Sequence, residues 1–206
     1  MIRLALPKGR NLEPALGALR AAGLGLAGFE GRRLRQALPE DGVELLLFKD
    51  WDLPLYVEHG IADVGIAGAD VLAEIGCDLL TPLALRGGRS RMSLIGTRRE
   101  LPPAGAQIRV ATKYPRWARR LLADRPWGLE FVRLSGSVEL GPILELAELA
   151  VDIVQTGTTL REHDLEELEV LSEVAPVVVV NRAAYQWRRA EINRWMRALE
   201  EAEVVA

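Results

Sequence analysis

Residues 151–160 read Val-Asp-Ile-Val-Gln-Thr-Gly-Thr-Thr-Leu, and their types and spacing suit the binding of an anion. An apolar run predicts a strand over 151–154, and a hydroxyl-rich turn and a helix start follow it. Gly157 allows a positive φ or a close approach of backbone to ligand. Thr156, Thr158 and Thr159 place hydroxyls around it, and the turn with the helix start leaves backbone N–H groups unbonded. Such a cup suits a phosphate monoester, and Asp152 at the end of the strand is within reach of sugar hydroxyls beside it. The residues alone equally fit a strand running into a Thr-capped helix, with Gly157 present only for the turn.

A second set of candidates is cationic. Of 26 basic residues only Lys8, Lys49 and Lys113 are lysine, and the bias towards arginine is explained most simply by codon usage or thermal adaptation. Under that bias a surviving lysine marks a place where a compact ammonium works and a planar guanidinium does not. All three fall at predicted strand-to-helix junctions, where α/β proteins bind ligands. Lys8 and Arg10 flank Gly9 and suit the gripping of phosphates, against the alternative of a solvated loop. Lys49 suits the same task, against an ion pair with Asp50 or Asp52. Ser137 reads as the N-cap of a helix with Glu139 in its first turn, and a capped helix end also binds anions. Asp63 and Asp70 surround Gly65 and Gly68, glycines that permit close strand–helix packing or the approach of a nucleotide. His59 and His163 belong to no triad or metal-ligand pattern, and Cys77 reads as a buried apolar residue.

The elements that must position these residues alternate. Strands are predicted over 3–6, 43–48, 62–66, 93–96, 108–111, 129–133, 151–154 and 176–180. Helices are predicted over 12–22 (capped by Asn11), 53–59, 69–75, 115–123, 138–147 and 183–202. That order implies an α/β fold with mainly parallel sheets and helices on their faces. Arg86-Gly87-Gly88-Arg89 and the stretch around Asn181 are plausible crossings between two lobes. With 49% hydrophobic and 27% charged residues the composition is that of a soluble globular protein. A net charge of −3 argues against a nucleic-acid partner, although a local basic cluster can still hold a small anion. The single cysteine fits a reducing compartment. No signal-peptide core opens the chain, and no apolar run approaches the roughly 20 residues that span a bilayer. A cytoplasmic protein without a membrane anchor is expected.

Asp152, three residues and then Thr-Gly-x-Thr is also the pattern of phosphoribosyl pyrophosphate binders. Four further segments make the resemblance specific: Ala5-Leu6-Pro7-Lys8-Gly9-Arg10, residues 62–72, Val110-Ala111-Thr112-Lys113-Tyr114-Pro115 and Gly136-Ser137-Val138-Glu139-Leu140-Gly141-Pro142. With Asn181-Arg182-Ala183-Ala184-Tyr185, the ordered set resembles the ATP phosphoribosyltransferase family along essentially the whole chain. The resemblance implies a two-lobe fold of the type II periplasmic-binding-protein kind, with a central cleft and two interlobe crossings. Lobe one would comprise residues 1–87 plus 178–206, and lobe two, residues 88–177, would carry the phosphoribosyl pyrophosphate loop. It implies transfer of the phosphoribosyl group to the adenine ring of ATP, the first step of histidine biosynthesis, with Mg2+ carried by the substrate rather than by a protein metal site. Lys8 and Arg10 would be catalytic. Gly9, Lys49, Asp70, Ser137, Glu139, Asp152, Thr156, Gly157, Thr158 and Thr159 would bind ATP and phosphoribosyl pyrophosphate. Long members of the family carry a C-terminal histidine-binding domain. A chain ending at Ala206 resembles the short form, which works in a hetero-oligomer with a regulatory subunit similar to histidyl-tRNA synthetase. Two competing readings are weaker: purine- or orotate-type phosphoribosyltransferases usually pair two acids where this chain has Val151 and Asp152, and a solute-binding protein would need an export signal.

Overall fold

Leu4 and Leu6 bury against one layer of helices from strand β1 (Ile2–Lys8), while Ala5 faces the opposite layer. Cover on both faces is why the run is continuously apolar rather than alternating. The computed structural model describes residues 1–29, 31 and 33–205. After β1 come α1 (Leu12–Ala21), β2 (Arg35–Leu38), β3 (Val43–Lys49), α2 (Leu53–Glu58), β4 (Val64–Gly68), α3 (Ala69–Ile75) and β5 (Leu80–Ala84). Next are β6 (Ser90–Gly96), β7 (Gln107–Thr112), α4 (Pro115–Leu121), β8 (Gly128–Arg133), α5 (Leu140–Ile143), β9 (Leu149–Val154), α6 (Thr158–Glu162) and β10 (Glu166–Val174). The chain closes with β11 (Pro176–Val180), α7 (Arg182–Trp187) and α8 (Arg189–Val205).

These elements form two units. Met1–Arg89 with Ala175–Ala206 make the first, and Ser90–Val174 the second. The divide falls at 89/90 and 174/175 rather than at 87/88 and 177/178, because all of β11 pairs with β4 in the first unit's sheet. That sheet has the order β2-β3-β1-β4-β11-β5, and the second unit's sheet β10-β6-β9-β7-β8. In the first unit α1 and α8 cover one face, where Leu16, Leu19, Ile192 and Leu199 join Leu4, Leu6, Val43 and Leu45. Ile192, Met196 and Leu199 recur at helical spacing along α8, which accounts for its amphipathic pattern. Each large side chain buried this way stabilises the unit by about 1.5–3 kcal/mol.

Four expectations are corrected. The sheets are mixed rather than mainly parallel: β1–β3, β1–β4, β7–β8 and β7–β9 are parallel, while β2, β5, β6, β10 and β11 pair antiparallel. The predicted helix over 138–147 shrinks to Leu140–Ile143, because Ser137 and Glu145 take positive φ of 47° and 58° on either side. The predicted helix over 183–202 is two helices, broken at Arg188. Asn11 holds the cap position of α1 but makes no capping bond, and its side chain is buried instead.

Candidate functional site

In the second unit three parallel strands, β8, β7 and β9, end on the same side of the sheet. Residues 134–139 follow β8, Lys113 follows β7 and residues 155–157 follow β9. The candidates Ser137, Glu139, Asp152, Thr156, Gly157, Thr158 and Thr159 therefore gather at the carboxyl ends of these strands, the usual ligand edge of an α/β sheet.

The threonine turn itself is closely defined. Gly157 has φ +72°, a conformation that a side chain strains. The hydroxyl oxygens of Thr156 and Thr158 lie 3.0 Å apart, and the Thr158 amide points to Thr156 Oγ1 at 3.5 Å. Thr156, Thr158 and Thr159 are exposed, and α6 behind them is only five residues long. Asp152 is partly buried on β9, opposite Ser93.

Two arginines that sequence reasoning missed complete the turn. Arg161 Nη1 donates to the Thr156 carbonyl at 3.3 Å and its Nη2 to Thr158 Oγ1 at 3.2 Å. Arg91 Nη1 donates to the Gln155 carbonyl at 3.2 Å. A Cβ on Gly157 would lie 3.3 Å from Arg161 Nη1 and 4.0 Å from Arg91 Nη2. Arg91 is anchored by Glu167, with Nε to Oε1 at 2.5 Å and Nη2 to Oε2 at 2.6 Å, and Ser93 Oγ adds a 2.6 Å bond to the same carboxylate. The hydrogen bond from Arg91, helped by that from Ser93, holds the Glu167 carboxyl below its ordinary range against the opposing effect of burial. The same pairing raises the Arg91 guanidinium. Arg161 was legible as the residue three after Thr158 on one helix face. Arg91 was not, because its place depends on β6 running antiparallel beside β9.

Ser137 does not cap a helix. It is exposed, takes left-handed φ of 47°, and its carbonyl accepts from the Leu140 amide at 3.1 Å, while Glu139 holds the cap position of α5. Strain of this kind in a non-glycine residue costs about 1–3 kcal/mol and concentrates at functional corners.

The first unit has its own ledge. Lys8 and Lys49 are register partners at the ends of parallel strands β1 and β3, and both are exposed. Neither forms an ion pair among the described residues, so Lys49 does not take the expected alternative with Asp50 or Asp52. Gly9 forms the turn beyond Lys8, and Arg10 reaches Asp70 Oδ2 at 2.7 Å. Asp70 is only 1% exposed, so it orients Arg10 rather than facing a ligand. Asp63 is equally structural: it binds the Arg3 amide at 2.8 Å and the Arg3 guanidinium at 3.0 Å. Gly65 is required for packing, since a Cβ there would lie 3.0 Å from both Leu53 and Val57.

Two cavities lie elsewhere. One of about 570 Å3, lined by Arg98, Ile108, Arg109 and Glu148 among others, sits at the amino ends of β7 and β9, opposite the threonine turn. Another of about 430 Å3 is lined by Asp52, Leu55, Tyr56, His59 and Ile61. Neither is lined by any of the candidate residues read from the sequence. Cys77 is partly exposed rather than buried, and burial with nearby Glu58 pushes its thiol up to about 11, away from the thiolate form. No helix is long and apolar enough to cross a membrane among the described residues.

A model of the ATP phosphoribosyltransferase family matches residues 49–201. An ATP phosphoribosyltransferase from Thermus thermophilus is 44% identical over 200 residues, covering 97% of this chain and 96% of that protein. Among solved structures, an ATP phosphoribosyl transferase (HisG:HisZ) complex from Thermotoga maritima is similar with a TM-score of 0.81 and 34% identity, over 98% of this chain and 97% of that one. The periplasmic aliphatic sulphonate binding protein SsuA from Escherichia coli matches with a TM-score of 0.62 at 14% identity, over 99% of this chain and 72% of that one, a likeness of fold alone. The fold is the two-lobe periplasmic-binding-protein type.

Proposed function

This chain belongs to the ATP phosphoribosyltransferase family, and from that premise we propose how its residues carry out the reaction. The chain transfers the phosphoribosyl group of phosphoribosyl pyrophosphate to a ring nitrogen of the adenine of ATP. The N–C1 bond forms as the C1–O bond breaks, and pyrophosphate leaves with the electron pair. Phosphoribosyl-ATP enters histidine biosynthesis. The attacking nitrogen brings its own lone pair, so no base need precede it. What remains for the protein is positioning and the stabilisation of charge.

The observation that carries the assignment of roles is the threonine turn: three exposed hydroxyl residues around a left-handed glycine, bracketed by two guanidinium groups. We assign the 5-phosphate of the ribose to this turn, with Asp152, Ser137 and Glu139 directed to the ribose. In the first unit, Lys8 and Lys49 form a pair of uncompensated ammonium groups that suits polyphosphate, and Arg10, steadied by Asp70, joins them with Gly9. No group of three or more His, Cys, Asp or Glu is placed to hold a metal among the described residues. We expect Mg2+ to arrive on the diphosphate, where it would neutralise leaving-group charge. The Thermotoga relative was solved as a HisG:HisZ complex. We extend that to this chain as a hetero-oligomer with a regulatory subunit resembling histidyl-tRNA synthetase, in the cytoplasm.

Thr156→Ala or Gly157→Val tests the turn. Each should weaken phosphoribosyl pyrophosphate by about 1.5–3 kcal/mol, the worth of a hydrogen bond to a charged group, and leave ATP affinity nearly unchanged. Equal loss for both substrates in a folded variant would remove the phosphate from this turn.

A further inference from the structure

We propose that Arg161 is a substrate-binding residue of the threonine turn, and that its guanidinium selects the doubly ionised form of the sugar phosphate. The proposal rests on the reading of the turn given above. Two guanidinium groups flank Gly157, and their surroundings divide the work between them. Arg91 spends its fork on Glu167, at 2.5 and 2.6 Å, and its charge is balanced there. It is a positioning residue, tying the turn's entry to β6 and β10 through the Gln155 carbonyl.

Arg161 forms no ion pair among the described residues. Its partners are a neutral carbonyl at 3.3 Å and a neutral hydroxyl at 3.2 Å, longer than the roughly 2.7–2.9 Å of a charge-assisted bond to an anion. The guanidinium folds back from α6 into the space that the missing side chain of Gly157 leaves, so it already stands beside the turn's hydroxyls. Its planar fork matches two oxygens of a phosphate. Thr158 Oγ1 now accepts from Arg161, and that leaves its own proton free for Thr156 or for a ligand oxygen. A phosphate monoester takes its second charge with a pKa of about 6, so an unbalanced guanidinium makes affinity rise as pH climbs through that value.

Calorimetric titration of the full chain with phosphoribosyl pyrophosphate, ribose 5-phosphate and ATP tests this. Arg161→Gln should bind the first two about 10- to 100-fold more weakly, with ATP within twofold of wild type and Arg161→Lys recovering part of the loss. Between pH 5 and 7.5 wild-type affinity for ribose 5-phosphate should rise, and in Arg161→Gln that rise should flatten. If Arg161→Gln binds ribose 5-phosphate like wild type while Thr156→Ala and Gly157→Val lose it, Arg161 is not a ligand group and the turn's assignment survives. If all three variants bind normally, the turn's assignment fails and the role of Arg161 with it. Equal weakening of ATP and ribose 5-phosphate, or an unchanged pH slope, would make Arg161 structural and overturn the proposal.

Discussion

At the scale of single residues, chemistry and scaffolding are told apart by what already neutralises each charge. Asp63 and Asp70 are buried against arginines, and Glu167 is committed to Arg91, so these carboxylates hold other groups in place. Lys8, Lys49 and Arg161 form no ion pairs among the described residues, and an anion is what each lacks. Lys8 is the sharpest case, because it is one of only three lysines in a chain that mostly uses arginine. Lys8→Arg conserves charge but brings a wider group whose fixed fork cannot turn its donors about one oxygen. Loss of a comparable preorganised donor costs about 2.7–4 kcal/mol, or about 10²–10³ in kcat. Lys8→Ala should lose most of that and Lys8→Arg a part, with melting temperatures near wild type. Steady-state kinetics that show Lys8→Arg turning over like the parent would mean that any cation suffices.

At the scale of elements, what was legible in the sequence is what is buried. The central strands β1, β3, β4, β7, β9 and β11 announce themselves as apolar runs; the candidate residues the motifs pointed to lie within β9 (Asp152) or at and beyond the carboxyl ends of β1, β3, β4, β8 and β9. The strands that went unread, β2, β5 and β10, all lie at sheet edges. Edge strands carry charge or proline to deter further pairing: Pro82 interrupts β5, and β10 reads Glu-Glu-Leu-Glu-Val-Leu-Ser-Glu-Val. The carboxylate that anchors Arg91 lies on β10, so missing that strand meant missing half of the turn's support. Away from the site, Glu148 at the start of β9 receives the Arg109 amide at 2.6 Å and its guanidinium at 2.6 Å, tying β9 to β7. The Arg109 hydrogen bonds hold the Glu148 carboxyl down at about 2, from an ordinary 4.5. A depressed folded pKa gives stability that is complete above the ordinary value and is lost as pH falls towards 2. The pair is two-fifths exposed, so solvent screens the effect. Thermal melts from pH 5 to 2.5 should therefore show a slightly shallower acid decline in Glu148→Gln than in wild type. An identical decline would mean that the pair contributes nothing to stability.

At the scale of the whole molecule, the chain carries a net charge of −3, so anionic substrates must be met by local groups rather than by the overall field. Each unit is built on a mixed sheet that offers a cationic or hydroxyl-rich ledge at the carboxyl ends of its parallel strands, and the proposed function assigns phosphates to both ledges. The hydroxyl and guanidinium edge suits a single monoester, and the paired lysines suit a longer phosphate chain. Two substrates that each carry phosphates are what such a division serves. The most direct measurement is to incubate the chain, together with a regulatory partner from the same host, with ATP, phosphoribosyl pyrophosphate and Mg2+, following phosphoribosyl-ATP by absorbance and pyrophosphate in parallel. The two products should appear in equal amounts, with turnover abolished when ATP is replaced by free purine or pyrimidine bases. Pyrophosphate release without phosphoribosyl-ATP, or transfer to a free base in place of ATP, would contradict the proposed function.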